Sequence, residues 1–292
     1  MKENPSVVIT GASSGIGRAA VKRMSGAGWR VFAGVRREAD GQKLVEESGN
    51  RVEPVLMDVS DAGAVAQAAA FVQERLGGAG LAGLVNNAGI GVTGPLEYLP
   101  AAELRRQFEV NVFGLLSVTQ AFLPAIRTAR GRIVNVGSIG DRFTMPFGGP
   151  LCASKHAVAS LNDALRQELY PFGIFVSLIE PASIRTDAVG KLAEENRERL
   201  ARMSPEARAR YGESFEKFTR KAVEQEEVGS PPSVVADAIC RALTERRPKA
   251  RYLCGKGARL LATMAWLLPE GVFDRVRGRL FGLPSRFGSQ SA

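Results

Sequence analysis

The chain is poor in cysteine, in long apolar runs and in acidic residues near its C-terminus, and each shortage excludes something. Its three cysteines, Cys152, Cys240 and Cys254, are odd in number and irregularly spaced, which fits neither a disulfide framework nor a zinc site. They read as free thiols of a reducing compartment, and no metal site is expected. No uninterrupted apolar stretch approaches the roughly 20 residues needed to cross a bilayer. The opening MKENPS lacks the apolar core of a signal peptide, so a cytoplasmic protein is the expectation. Internal repeats and low-complexity tracts are absent as well.

A length of 292 residues with 45% hydrophobic and 24% charged content is enough to bury a large core. The net charge of +9 is concentrated at one end: from Thr244 to Ala292 ten Lys or Arg face three acids. That region, 256–292, contains GARLLATMAWLL and VFDRVRGRLFGL, apolar stretches flanked by arginines. It reads as a basic amphipathic extension, either packed on its own domain with a solvated arginine face or in peripheral contact with an anionic membrane. No basic stripe interleaved with aromatics points to nucleic acid.

Strand-like runs alternate with helical ones. SVVIT (Ser6 to Thr10), RVFAGV (Arg30 to Val35), RVEPVLMDV, GLVNNAG, GRIVNVGS (Gly131 to Ser138), GIFVSLIEP (Gly173 to Pro181) and RYLCG (Arg251 to Gly255) are the strand candidates. Several are apolar without strict alternation, as strands covered on both faces are. Segments such as AGAVAQAAAFVQERL read as helices. The expectation is a single α/β domain over 1–292 with a doubly wound parallel sheet of Rossmann type, whose strand ends gather along one ligand-binding edge. One charged, helix-favouring segment, 187–230, breaks the alternation just after a strand end and reads as a helical flap over the crevice, with Ser204-Pro205 starting its second helix.

The turn Thr10-Gly11-Ala12-Ser13-Ser14-Gly15-Ile16-Gly17 follows the first strand and opens a helix. In that context glycines let the backbone approach a pyrophosphate, whose charge the helix N-terminus meets. The second strand ends at Val35-Arg36-Arg37, and no Asp or Glu occurs from Arg30 through Arg37. An acid there would bind ribose hydroxyls, whereas an arginine pairs with a 2′-phosphate. NADP is therefore the favoured cofactor, with Arg36 the first choice of contact and Arg37 the second.

TGASSGIG, the NNAG at Asn86 to Gly89, Asn111 in a helical segment, Ser138 after the fifth strand and ASK at Ala153 to Lys155 together resemble the short-chain dehydrogenase/reductase family over roughly Ser6 to Thr186. MPFGGP-x-CASKHAV followed by PFGIFVSLIEP is similar to its hydroxysteroid and retinol dehydrogenase branch. The resemblance implies that Gly11, Ser13, Ser14, Gly15, Ile16 and Gly17 cradle the cofactor, that Asp58 and Val59 contact the adenine, and that Asn86, Ala88 and Gly89 line the site. It implies further that Pro181, Ala182, Ile184 and Thr186 pass the nicotinamide carboxamide, Ala182 standing where the family usually has glycine. Ser138 would hydrogen-bond the substrate oxygen, Lys155 would hold the nicotinamide ribose and lower the pKa of a tyrosine, and Asn111 would help hold a water near the lysine. Homo-oligomers, dimers or tetramers, are common among such relatives.

The tyrosine is missing. Leu151 occupies its place, four residues before Lys155 and so on the same helix face, and a leucine neither donates, accepts nor titrates. Losing a general acid-base typically costs about 10²–10⁴-fold in rate while orientation and cofactor binding survive. Three readings stay open: a substitution that leaves a slow hydride-transfer enzyme, a native leucine in a non-redox catalyst or ligand-binding protein, or a proton supplied elsewhere. For the last, Cys152 and the lone His156 lie off the 151/155 face, Tyr98 and Tyr170 are distant in sequence, and only Tyr211 in the flap would reach over the site. Asp141 to Phe147 (DRFTMPF) carries apolar side chains that either line a pocket for a hydrophobic ketone or secondary alcohol or anchor the loop.

Overall fold

The computed structural model describes residues 4–283. Strands β1 (Ser6–Ile9), β2 (Arg30–Val35), β3 (Val52–Leu56), β4 (Gly83–Asn86), β5 (Arg132–Val136), β6 (Phe175–Pro181) and β7 (Arg251–Cys254) form one sheet in the order 3-2-1-4-5-6-7. Every pairing is parallel; Ile9 lies between Ala33 of β2 and Val85 of β4. The order reverses between β1 and β4, which opens a crevice beyond their carboxyl ends. The expected doubly wound single domain is what the chain forms.

The strands resist clean alternation because both faces are dry. Val7, Ile9, Val31, Ala33, Val35, Val134 and Ile179 face one apolar cluster, while their neighbours Val8, Phe32, Ile133, Val176 and Leu178 face the other side. The first cluster is completed by α1 (Gly15–Gly26), α2 (Glu38–Ser48) and α9 (Ser233–Thr244). The second is completed by α3 (Ala62–Leu76), α5 (Gly114–Ala129) and the end of α6 (Gly149–Leu169). Each fully buried Val, Leu, Ile or Phe in these layers contributes about 1.5–3 kcal/mol.

Local signals set the helix ends. Asp61 caps α3 by accepting from the N–H groups of Gly63 and Ala64, and Gly77 ends it in the left-handed conformation. Between α4 (Ala101–Phe108) and α5 one π turn, Glu109–Phe113, continues the helix without a break. The resulting rod, Ala101–Ala129, is long and apolar enough to cross a bilayer, but half of its most apolar window is buried, and Val118, Phe122, Ala125 and Ile126 pack into the second cluster. It is a core helix.

The segment after β6 leaves and returns at one point. Helices α7 (Asp187–Ala201) and α8 (Pro205–Glu227) form an antiparallel pair, and Ser204 caps α8 through the N–H of Ala207 with Pro205 in the first turn. Ser230 then bridges back to Ile184, its N–H donating to Ser183 O at 3.0 Å. Beyond β7, α10 (Ala258–Leu267) and α11 (Glu270–Leu280) fold over the same region. A third apolar cluster joins Phe143, Phe215, Phe218, Phe273 and Phe281, fastening the flap, the loop after β5 and the C-terminal helices together. Positions 284–292 of the basic extension lie outside the described residues.

Candidate active site

The glycine turn is assembled by contacts too close for a side chain. Gly11 has φ +62°, and a Cβ on Gly17 would stand 2.1 Å from Gly11 O and 2.6 Å from Asn87 Nδ2, a clash no rotamer relieves. Thr10 Oγ1 accepts from the backbone N–H groups of Asn87 and Ala88, both at 3.0 Å, and Asn87 Nδ2 donates to Thr10 O and Gly11 O. The NNAG loop is thereby stapled to the turn. Thr186 closes in from the other side, 3.4 Å from where a Gly15 Cβ would be, so two parts far apart in sequence meet over the first turn of α1. Ser14 precedes that helix without capping it by its side chain, and the first turn carries no acid. Its N–H groups are thus left for an anion.

At the end of β2, Arg36 and Arg37 are both exposed, but they differ in employment. Arg37 is paired with Asp40, Nε to Oδ2 at 2.9 Å, while Arg36 has no ion-pair partner among the described residues and lends its charge to Asp58. The Asp58 carboxyl is held below its usual range chiefly by the hydroxyl and N–H of Ser60, then by Arg36. Val59 is buried, its carbonyl and side chain both packed against Gly114. Asn86 Nδ2 donates to Thr119 Oγ1 and Asn135 Oδ1, both at 2.9 Å, and the residue is 3% exposed. Its side chain braces β4 against β5 and α5. Pro181 and Ile184 are buried as well, leaving Ala182 and Thr186 the more accessible of these four residues.

Across the crevice, Ser138 ends β5 and caps a short 3₁₀ turn, Ile139–Asp141, by accepting from Gly140 N–H at 3.1 Å. Its hydroxyl proton has no acceptor among the described residues and remains available to a ligand oxygen. Lys155 Nζ donates to Val136 O at 2.9 Å. Burial pushes its pKa down to about 8, partly offset by the Asp141 carboxylate. One turn earlier on α6, Leu151 converges with Leu192 of α7: a Cβ on Gly91 would meet Leu192 Cδ1 at 3.8 Å and Leu151 Cδ2 at 3.9 Å. The place of a phenol is part of an apolar wall.

A sequence model of the short chain dehydrogenase family matches residues 5–197. The chain belongs to that family. Retinol dehydrogenase 16 of Homo sapiens is 37% identical over 275 residues, spanning 92% of this chain and 86% of its own length. An NADPH-dependent 3-dehydrocapnine reductase of Ornithobacterium rhinotracheale is 34% identical over 92% of this chain and 94% of the relative. Among solved structures, a short-chain dehydrogenase from Streptomyces avermitilis superposes with a TM-score of 0.75 at 30% identity over 96% of both chains. A single-residue variant of the actinorhodin polyketide ketoreductase, solved with NADPH, gives 0.71 at 28% over 86% of this chain and 95% of that one. These matches set the chain among oxidoreductases and on the retinol dehydrogenase side of the short-chain dehydrogenases.

Three features of this short-chain dehydrogenase escape a sequence reading. Asn87 is the first, its role described above. The second is a buried clamp: Gln107 accepts from Val92 N–H at 2.6 Å and donates to Ile90 O and Ser154 Oγ, while Asn111 accepts from Ile90 N–H and donates to Ile90 O and the same Ser154 Oγ. Ser154 in turn donates to Leu151 O at 2.7 Å. Asn111 thus fastens the 90–92 loop to α6. The third is a buried charge cluster beside the Ser138 turn, in which Arg142 and Arg251 both bind Glu180 while Arg251 also reaches Asp163 and Asp141. Burial, then the neighbouring Glu180, pushes the Asp141 carboxyl up to about 8.

The substitute proton donors considered above are engaged elsewhere. His156 is exposed and its Nδ1 lies 2.9 Å from Cys152 O, Cys152 is buried with its thiol pushed up by burial, and Tyr170 is 73% exposed at the far end of α6. Tyr211 donates to Glu97 Oε2 at 2.8 Å and packs edge-on against Tyr98 and Phe147; that hydrogen bond, with burial, raises its pKa further. Of the apolar residues at 141–147, Phe143 packs on Phe273 and Phe147 on Phe215 and Phe218. These contacts anchor the loop to the flap and the C-terminal helices.

Proposed function

We propose that the chain binds NADP(H) and serves a hydride-transfer reaction on a hydrophobic ketone or secondary alcohol, with its proton step disabled at Leu151. The observation that carries this reading is the intact setting of a missing group: Ser138 with a free hydroxyl proton and Lys155 one turn beyond Leu151. The cofactor, when bound, supplies the hydride. Ser138 orients the substrate oxygen by donating to it, and Lys155 anchors the cofactor's ribose while holding positive charge beside position 151. Leu151 and Leu192 exclude water from one side and offer an apolar surface. The unpaired Arg36 at the end of β2, with no acid nearby on that strand, supports the 2′-phosphorylated form. The names of relatives, an NADPH-dependent reductase and a retinol dehydrogenase, agree with an apolar substrate.

A second reading rests on the same leucine. Its place with Leu192 around Gly91 would suit a native ligand-binding or non-redox catalyst on this scaffold. Leu151→Tyr, assayed with NADPH against a panel of hydrophobic ketones, separates the two. Restoration of the acid-base should raise turnover by about 10²–10⁴-fold. A variant that binds NADPH and ketone yet stays silent would refute the disabled-reductase reading in favour of the second.

A further inference from the structure

Helix α10 is a two-sided element with one side unoccupied. Ala258, Leu261, Ala262, Ala265 and Leu268 face the third apolar cluster or are buried beneath it. The opposite face presents Leu260, Trp266 and Leu267 at 64%, 83% and 61% exposure. Arg259 and Trp266, like Leu260 and Leu267, are seven residues apart and stack along that face. The face continues into a shallow groove of about 610 Å³ beside β7 and α9, lined by Val234, Leu260, Arg241 and Arg259 among others.

Along α10 itself the charge is of one sign, the groove's Asp237 being paired with Arg23. No acid occurs on α10, and Lys256 and Arg259 are exposed cations with no ion-pair partner among the described residues. An apolar strip carrying a tryptophan and framed by free cations is complementary to the interface of an anionic bilayer, where indole sits at headgroup level and guanidinium groups meet phosphate. A second copy of the chain is a poor match, since a two-fold contact would press Arg259 and its neighbours against their own like charges.

We infer that the outer face of α10 is a docking surface for anionic lipid membranes, with Trp266 and Leu267 inserted at the interface and Lys256 and Arg259 on the headgroups. The proposal is independent of the reaction and of the cofactor. It is tested on the full chain by co-sedimentation with phosphatidylcholine vesicles, with and without phosphatidylserine, while following tryptophan emission. Trp29, the other tryptophan, is buried at 8% exposure, so a blue shift on binding reports Trp266. Expected results are binding to the anionic vesicles that weakens as salt rises, a blue shift, and at least a tenfold loss of binding in Trp266→Ser/Leu267→Ser, whose outward positions leave the fold, checked by circular dichroism, unchanged. Arg259→Glu should weaken binding to the anionic vesicles alone. Absence of binding to anionic vesicles, or equal binding by the double variant, would overturn the proposal. So would self-association in plain buffer that the double variant abolishes, which would make the face a contact between copies.

Discussion

Asp141 shows how far a single residue can be moved by its surroundings. It follows Ser138 by three positions, its side chain is fully enclosed, and burial beside Glu180 pushes its pKa from 3.8 up to about 8 despite Arg251 and Arg142 nearby. The folded state therefore prefers the protonated carboxyl. The contribution to stability is complete below the unfolded value near 4 and is lost as pH rises through about 8. Thermal unfolding between pH 4 and 8 should show this decline, and Asp141→Asn, which keeps a neutral group of the same shape, should flatten it. An unchanged slope in the variant would place the titration elsewhere. None of this is visible in the sequence, where Asp141, Asp163, Glu180 and Arg251 are scattered over more than a hundred positions and only the fold brings them to one cluster. Leu151 is the opposite case: its anomaly is plain in the sequence, because the serine and lysine that frame it stand at fixed offsets.

Elements, rather than single side chains, hold the crevice in shape. The 90–92 loop has no regular structure, yet its backbone groups are matched by Gln107 of α4 and Asn111 of the π turn, both of which donate to Ser154 of α6. Gln107→Ala would leave Val92 N–H unsatisfied in a buried place and remove one donor from Ile90 O, a cost of about 1–3 kcal/mol, read as a lowered midpoint in urea denaturation. Because the loop carries Gly91 under Leu151, the same variant should also loosen substrate binding in the Leu151→Tyr background; a stability change under about 0.5 kcal/mol would show that the clamp is dispensable. The flap is fastened to the opposite rim by comparable means. Thr93 Oγ1 donates to buried Asn196 Oδ1 at 2.7 Å, Arg199 reaches Glu103, and Arg210 with Tyr211 holds Glu97. The helical character of this insertion was legible from its composition and from Ser204-Pro205. Which partners it takes was not, since they come from loops whose path sequence periodicity does not set.

At the scale of the whole molecule, the sheet was the most legible part. Glycine turns at strand ends and dry apolar runs announce a parallel sheet covered on both faces, and the observed strands fall within a residue or two of the expected bounds at SVVI, RVFAGV and RYLC. The C-terminal region was half legible: its amphipathic helices were expected, but the aromatic cluster that seats them on the flap joins Phe143, Phe215, Phe218, Phe273 and Phe281, a convergence no local pattern encodes. In the proposed function these parts are united by dinucleotide binding in the crevice between the turn after β1 and the end of β2. Its most direct test is titration of the unmodified chain with NADPH and with NADH, repeated with Arg36→Ala. Uptake of NADPH in preference to NADH is expected, with a loss of about 10–100-fold in NADPH affinity in the variant and NADH affected little. Failure of well-folded protein to bind either nucleotide would contradict it.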